Sequence, residues 1–255
     1  MLLVFLVLLN LRTLQARAGA QRCADGIVLI DMKLPESKWV KICAGTLIRP
    51  TWILTAAGCL ENTMFNTSSV YNVDKRPVKR IVLHPEYDSE KYEGNDVALM
   101  ELEKPIGNGI VFLPKAQENI LEPMCQKSLI FGWNENNEKC GMSSVVPRDQ
   151  CKLQVELFPG QFCLNSAIEE APLIEAGGPV LCGSVQVGVI TSKWMLKANL
   201  PIVYTDLRSS VGLIEKTIEG VEERRQKVGN YGEASRKIQF ENVLFAFVIF
   251  LAQLL

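Results

Sequence analysis

The chain has 255 residues, 48% of them apolar, with a formal net charge of −1 and a single histidine. That balance argues against a surface of the kind that holds nucleic acid or heparin. The apolar fraction is enough for one large all-β domain or two small ones.

Residues 2–11 form an apolar block too short to cross a bilayer, followed by Ala16-Arg17-Ala18-Gly19-Ala20. Small residues at that spacing predict a secretory signal peptide over 1–20, cut near Ala20, although a basic lead-in is missing. All eight cysteines (Cys23, Cys43, Cys59, Cys125, Cys140, Cys151, Cys163, Cys182) follow that cut. An even count in an exported chain predicts a disulfide framework, whose pairing spacing alone does not choose. A zinc site is the competing use. It is disfavoured because there is one histidine and no cysteine pair at finger spacing, so neither a metal nor a cofactor is expected.

The body of the chain then reads as short strands. Ile27–Lys33, Trp39–Ile48, Trp52–Leu54, Val78–Leu83, Val97–Leu102, Lys127–Phe131, Pro179–Leu181, Val185–Thr191 and Ile202–Leu207 are rich in Val, Ile and Leu. They are separated by Pro, Gly, Asn and Asp, the pattern of a sandwich or barrel. Asn66-Thr67-Ser68 is an N-glycosylation sequon at Asn66. Lys75, Arg76, Lys79 and Arg80 read as a solvated loop, or as a contact site. Trp39, Trp52 and Trp133 read as core or strand-end packing. After the last strand Val211, Ile214, Ile218 and Val221 fall at helical spacing and predict one amphipathic helix, with Glu222–Lys227 as its charged, frayed end.

From residue 228 to 242 the chain is polar and reads as a linker. It is followed by the apolar run 243–255, shorter than the about twenty residues of a spanning helix. Small residues, a polar spacer and an apolar tail match a GPI-attachment signal, with Asn230 and Gly232 as acceptor positions. A membrane tail and a segment with neither role are the alternatives.

Several segments resemble the trypsin-like (chymotrypsin-fold) serine proteases. Cys43-Ala-Gly-Thr-Leu-Ile48 with Trp52-Ile-Leu-Thr-Ala-Ala-Gly-Cys59 is similar to the strands and loop that carry the family's histidine. Ile81-Val-Leu-His-Pro-Glu-Tyr87 and Asn95-Asp96-Val97-Ala98-Leu99 resemble the approach to its aspartate. Phe131-Gly132-Trp133, Glu175-Ala176-Gly177-Gly178-Pro179 and Pro201-Ile-Val-Tyr-Thr205 resemble parts of its second barrel. The resemblance implies an all-β fold of two six-stranded antiparallel barrels with a C-terminal helix, over residues 21–227. It also implies disulfides Cys23–Cys140, Cys43–Cys59, Cys125–Cys182 and Cys151–Cys163.

The departures concern chemistry. Gly58 stands where the family has its general-base histidine, and Ala176 where it has its serine nucleophile. Asp96 remains, but with no ring to orient. Losing either reactive group costs about 10⁶-fold in turnover, and losing both adds little. His84 lies in a turn motif that active members share, so it is not expected to act as a base. Ile174 replaces a glycine of the oxyanion hole, and a β-branched residue resists that conformation. Glu175 replaces the aspartate that pairs with a freed amino terminus in active members, and no Ile-Val-Gly-Gly precedes Cys23. Pro172 stands in place of a cysteine that usually braces the pocket. Glu170 falls near the pocket floor and Lys193 at its wall, either filling the pocket as a pair or lying as two solvated charges.

The sequence therefore predicts a secreted or tethered homologue that has no catalytic residues and acts by binding a protein partner. Residual, unconventional endopeptidase activity and a cell-surface adhesion or structural role are the rivals.

Overall fold

The computed structural model describes residues 25–33, 39–60, 70–73, 75–88, 94–107, 109–117, 121–134, 137–166, 173–191 and 200–226. Six strands close the first barrel: β1 (Ile27–Lys33), β2 (Trp39–Arg49), β3 (Trp52–Thr55), β4 (Val70–Val73), β5 (Arg76–Leu83) and β6 (Ala98–Leu102), in the order β1-β2-β3-β6-β5-β4. Every pairing is antiparallel. Closure leaves this sheet with no free edge. Ile30, Leu47, Ile53, Met100 and Leu102 fill its interior.

The second assembly contains β7 (Lys127–Asn134), β8 (Asn137–Val146), β9 (Gln161–Leu164), β10 (Leu173–Ile174), β11 (Pro179–Cys182), β12 (Val185–Ile190) and β13 (Ile202–Asp206). Its order is β10-β7-β11-β12-β13-β9-β8, and β7 pairs with β8 as well. Ile130, Phe162, Leu164, Val187 and Tyr204 form its core. Gly188 is needed there, since a Cβ at that position would lie 2.3 Å from the Tyr204 ring. Burial, with the nearby Asp206 carboxylate, pushes the Tyr204 phenol pKa well up, so this ring stays neutral.

Between β8 and β9 lies the short helix α1 (Arg148–Lys152), fixed by Cys151–Cys163 and by Arg148 donating to the Gln161 and Phe158 carbonyls. The connection from β6 to β7 is clasped by Arg208. Its guanidinium bonds the buried Asp206 at 2.7 Å and reaches the Glu122 carbonyl at 2.6 Å and Gln117 Oε1 at 3.2 Å. The hydrogen bond to Asp206 raises the Arg208 pKa. A helix, α2, spans 211–226, and Val211, Ile214, Ile218 and Val221 are buried along one stripe. The helical spacing in the sequence predicts that stripe.

Two expectations need correction or restriction. The basic run is not a solvated loop: Arg76, Lys79 and Arg80 belong to β5, and only Lys75 sits in the turn before it, at φ 61°. The cause is the pairing of β5 with β4 and β6, which also brings Lys79 to 3.6 Å and Arg80 to 3.3 Å from the fully buried carboxylate of Glu101 on β6. Trp52 is buried in the first barrel, as expected of a core tryptophan. Residues 1–20, Asn66 and residues 228–255, with Asn230 and Gly232, lie outside the described residues.

Candidate active site

The first wall of the site is built from β2, β3 and the turn that follows. Thr55 ends β3 with its side chain turned inward, where its hydroxyl donates to the Ala44 carbonyl across the sheet at 2.8 Å. Ala56 is extended and starts the 3-10 turn Ala57–Cys59, which the Cys43–Cys59 disulfide ties back to β2. In this turn the backbone N–H of Gly58 donates to Asp96 Oδ1 at 2.8 Å. Asp96 is only 3% exposed. It is delivered by two left-handed residues, Gly94 (φ 56°) and Asn95 (φ 32°), which swing the chain into β6. A buried carboxylate needs such donors, and a hydrogen bond to a charged acceptor is stronger than a neutral one.

His84 lies beside this wall but is engaged in its own turn. Its backbone N–H bonds the Val97 carbonyl at 3.0 Å, and its Nδ1 accepts the Glu86 N–H at 3.2 Å. Glu86 in turn accepts from Asn95 Nδ2 at 3.1 Å. Burial lowers the His84 pKa below its ordinary value, and the Glu86 charge offsets part of that. The imidazole is thus held neutral as a turn acceptor.

The second wall comes from β10, β11 and the elbow between them. Leu173 and Ile174 pair antiparallel with Trp133 and Gly132 of β7. Ile174 therefore lies in a short ladder, the conformation a β-branched residue favours. The chain then turns at Gly177, in the left-handed region at φ 72°, and Gly178 donates back to the Glu175 carbonyl. A Cβ on Gly177 would fall 2.1 Å from Thr55 Oγ1 and 2.3 Å from the Ala44 carbonyl. Glycine is required there both by conformation and by space.

The two walls meet at Ala176. Its carbonyl accepts the Ala44 N–H at 2.8 Å, and its methyl is 1% exposed, counted with Cys43 and Ala57 in the apolar cluster of the first barrel. Gly177 N–H bonds the Ile190 carbonyl and Ile190 N–H bonds Gly178, which anchors the elbow to β12. Gly58, Asp96 and Ala176 are thus carried on segments that the fold holds together. Position 58 presents no side chain, and position 176 presents a methyl group.

With this fold and site in place, the family model for Trypsin matches residues 22–214. The chain belongs to the trypsin family. Among curated relatives, mouse (Mus musculus) cathepsin G is 26% identical over 213 residues, covering 74% of this chain and 79% of its own length. Serine protease SP24D of Anopheles gambiae is 27% identical over 167 residues, 58% of this chain and 60% of that protein. Mouse serine protease 28 is 24% identical over 248 residues, 79% of this chain and 88% of its own. Among solved structures, the crystal structure of scabies mite inactivated protease paralogue S-I1 superposes with a TM-score of 0.61 at 22% identity. It covers 76% of this chain and 94% of that one, and shows the shared fold.

Within this trypsin-family domain the disulfides Cys43–Cys59, Cys125–Cys182 and Cys151–Cys163 are formed as the resemblance implies. Cys140 is disulfide-bonded too, and its expected partner Cys23 lies outside the described residues. Glu170, Pro172 and Lys193 also lie outside them. No motif singles out Thr55, although it is the residue against which the elbow glycine packs. Its role depends on the register of Thr46 with Leu54, which places Thr55 beside Ala44. Composition carries no signal for that.

Proposed function

We propose that this trypsin-family chain is a non-catalytic binding protein, matured in an oxidising compartment and exported. One observation carries the reading. Across the hydrogen bond that joins Gly58 to Asp96, neither residue 58 nor residue 176 bears a group that performs acyl transfer. Peptide cleavage on this architecture needs a hydroxyl to attack the carbonyl and an imidazole to take its proton. A methyl and a hydrogen do neither, and His84 is committed to its turn. The scabies mite neighbour, an inactivated protease paralogue, offers a precedent for this fold without turnover.

Protein binding is the activity we assign to this disulfide-braced scaffold. Glycosylation at Asn66 and tethering through residues 243–255, with attachment at Asn230 or Gly232, belong to the same reading. So does a pocket modified at Ile174, Glu175, Glu170 and Lys193.

The test uses the full chain purified from a secretory expression host. It is incubated with a fluorophosphonate probe, casein and arginyl, lysyl and leucyl anilides. No labelling and no turnover above that of denatured protein is the expected result. Labelling that denaturation abolishes overturns the reading.

A further inference from the structure

Two backbone irregularities where β4 passes into β5 both fall on lysines. Val73 pairs with Arg76, which leaves two residues to turn the chain, and the second of them, Lys75, sits at φ 61°. A side chain in that left-handed region is strained where glycine would not be. In β5 the register shifts between Val78 and Arg80, so Lys79 is the extra residue of a bulge. A bulge re-aims the side chain it carries. Lys79 and its neighbour Arg80 consequently approach the same buried carboxylate, Glu101, with 48% and 39% of their side chains exposed.

We propose that this face of the first barrel, Lys75, Lys79 and Arg80 with the exposed Lys104, is the docking surface for a short acidic segment of a partner protein. Residues 103–105 lie alongside β5: the Glu103 N–H bonds the Pro77 carbonyl at 3.1 Å, and Arg76 Nε donates to the Pro105 carbonyl at 3.2 Å. Residues 74–80 and 101–105 together carry five cations and three anions, so a local charge of +2 stands on a chain whose formal charge is −1. Negative charge on the partner complements that excess. Since β5 belongs to a closed barrel, a partner meets side chains there and not a free strand edge. Lys75 and Lys79 are four residues apart, about 13 Å along a strand, which spans two or three carboxylates of an extended segment. The inference rests on the binding reading and deepens it by naming the chemistry of the partner. Anilide turnover would defeat that reading, whereas failure in the experiment below would defeat this surface alone.

The test titrates the full chain into a dye-labelled peptide of alternating glutamate and serine and reads fluorescence anisotropy. The peptide should bind, and its affinity should fall at least about tenfold between about 50 and about 300 mM NaCl as screening strengthens. The variant K75Q/K79Q should melt within a few degrees of the parent and bind at least about fivefold more weakly. Lys75→Gly separates the roles: it should raise the melting temperature, because glycine adopts φ 61° freely, and still weaken binding. The variant K127Q/K152Q, which removes two exposed charges from the second assembly, should bind as the parent does. No binding, an unchanged affinity in K75Q/K79Q, an equal loss in K127Q/K152Q, or tighter binding of heparin than of the peptide overturns the proposal.

Discussion

The two walls of the site are held by different kinds of force. On the Thr55–Cys59 side, side chains organise the backbone: Thr55 bonds the Ala44 carbonyl, Asp96 bonds the Gly58 amide, and a disulfide closes the turn. On the Leu173–Gly178 side, backbone organises backbone. The elbow is fixed by the β10 ladder, by bonds to Ile190, and by a glycine with no room for a methyl group. The lesson is that neither wall depends on the side chains at 58 and 176. The turn and the elbow are each built by backbone bonds around a hydrogen at position 58 and a methyl at position 176.

That contrast can be broken most forcefully at the elbow. Gly177→Ala places a Cβ against Thr55 Oγ1 and the Ala44 carbonyl, and imposes left-handed strain on a residue with a side chain. A loss of about 3 kcal/mol or more is expected, read as a shifted urea midpoint. Pairing it with Thr55→Ala should recover part of that loss, because one of the two colliding atoms is then gone. No recovery would show that conformation alone fixes the glycine.

On the other wall, Asp96→Ala removes the acceptor of the Gly58 N–H. The expected cost is about 2 kcal/mol, the penalty of an amide left without its charged partner. If Asp96 is instead retained only as a vestige of catalysis, the variant will unfold at the parental midpoint. Asp96→Asn, which keeps an acceptor oxygen, should lie between the two.

How much of this is legible in the sequence differs sharply between elements. β1 was read at its observed limits, and β2, β3, β11, β12 and β13 to within about a residue, because Val, Ile and Leu crowd those segments and turn residues bracket them. β8 was missed: Asn137-Glu-Lys-Cys-Gly-Met-Ser-Ser144 is polar and poor in strand formers, and its conformation is imposed by eight pairings with β7. β4, β9 and β10 are two to four residues long, too short for a period to show. α1 is a five-residue turn whose stability comes from a disulfide and Arg148, not from propensity. At the site, the motifs single out the segments of residues 58, 96 and 176, which the fold does bring together, whereas the Thr55–Gly177 contact is not legible in them. Motifs report which residues a family places near one another. They do not report which atoms touch.

A smaller effect sharpens the comparison at the meeting point of the walls. Ala176→Ser buries a hydroxyl among apolar neighbours and should cost about 1 kcal/mol, and with Gly58→His added it restores two of the groups that acyl transfer uses. If position 174 is the oxyanion position, as the family resemblance implies, the double variant should remain without measurable anilide turnover, because the Ile174 backbone is paired with Gly132 of β7. Robust turnover would mean that the second wall is fully competent and that the two side chains alone separate this chain from an enzyme.

The smallest effect is expected from His84, and its sign follows from the turn. The imidazole accepts a hydrogen bond at Nδ1, and burial disfavours its charged form, so its folded pKa lies below that of the unfolded chain. The unfolded state then binds the proton more readily. Stability contributed by this group is complete above the unfolded value of about 6.5 and declines as pH falls through that value toward the folded one. His84→Asn, whose side-chain oxygen can accept the same Glu86 N–H, should flatten the stability profile between about pH 7 and pH 5 relative to the parent. If both proteins lose stability in parallel over that range, the slope belongs to the carboxylates, and His84 is then not the group that couples the turn before Asp96 to pH.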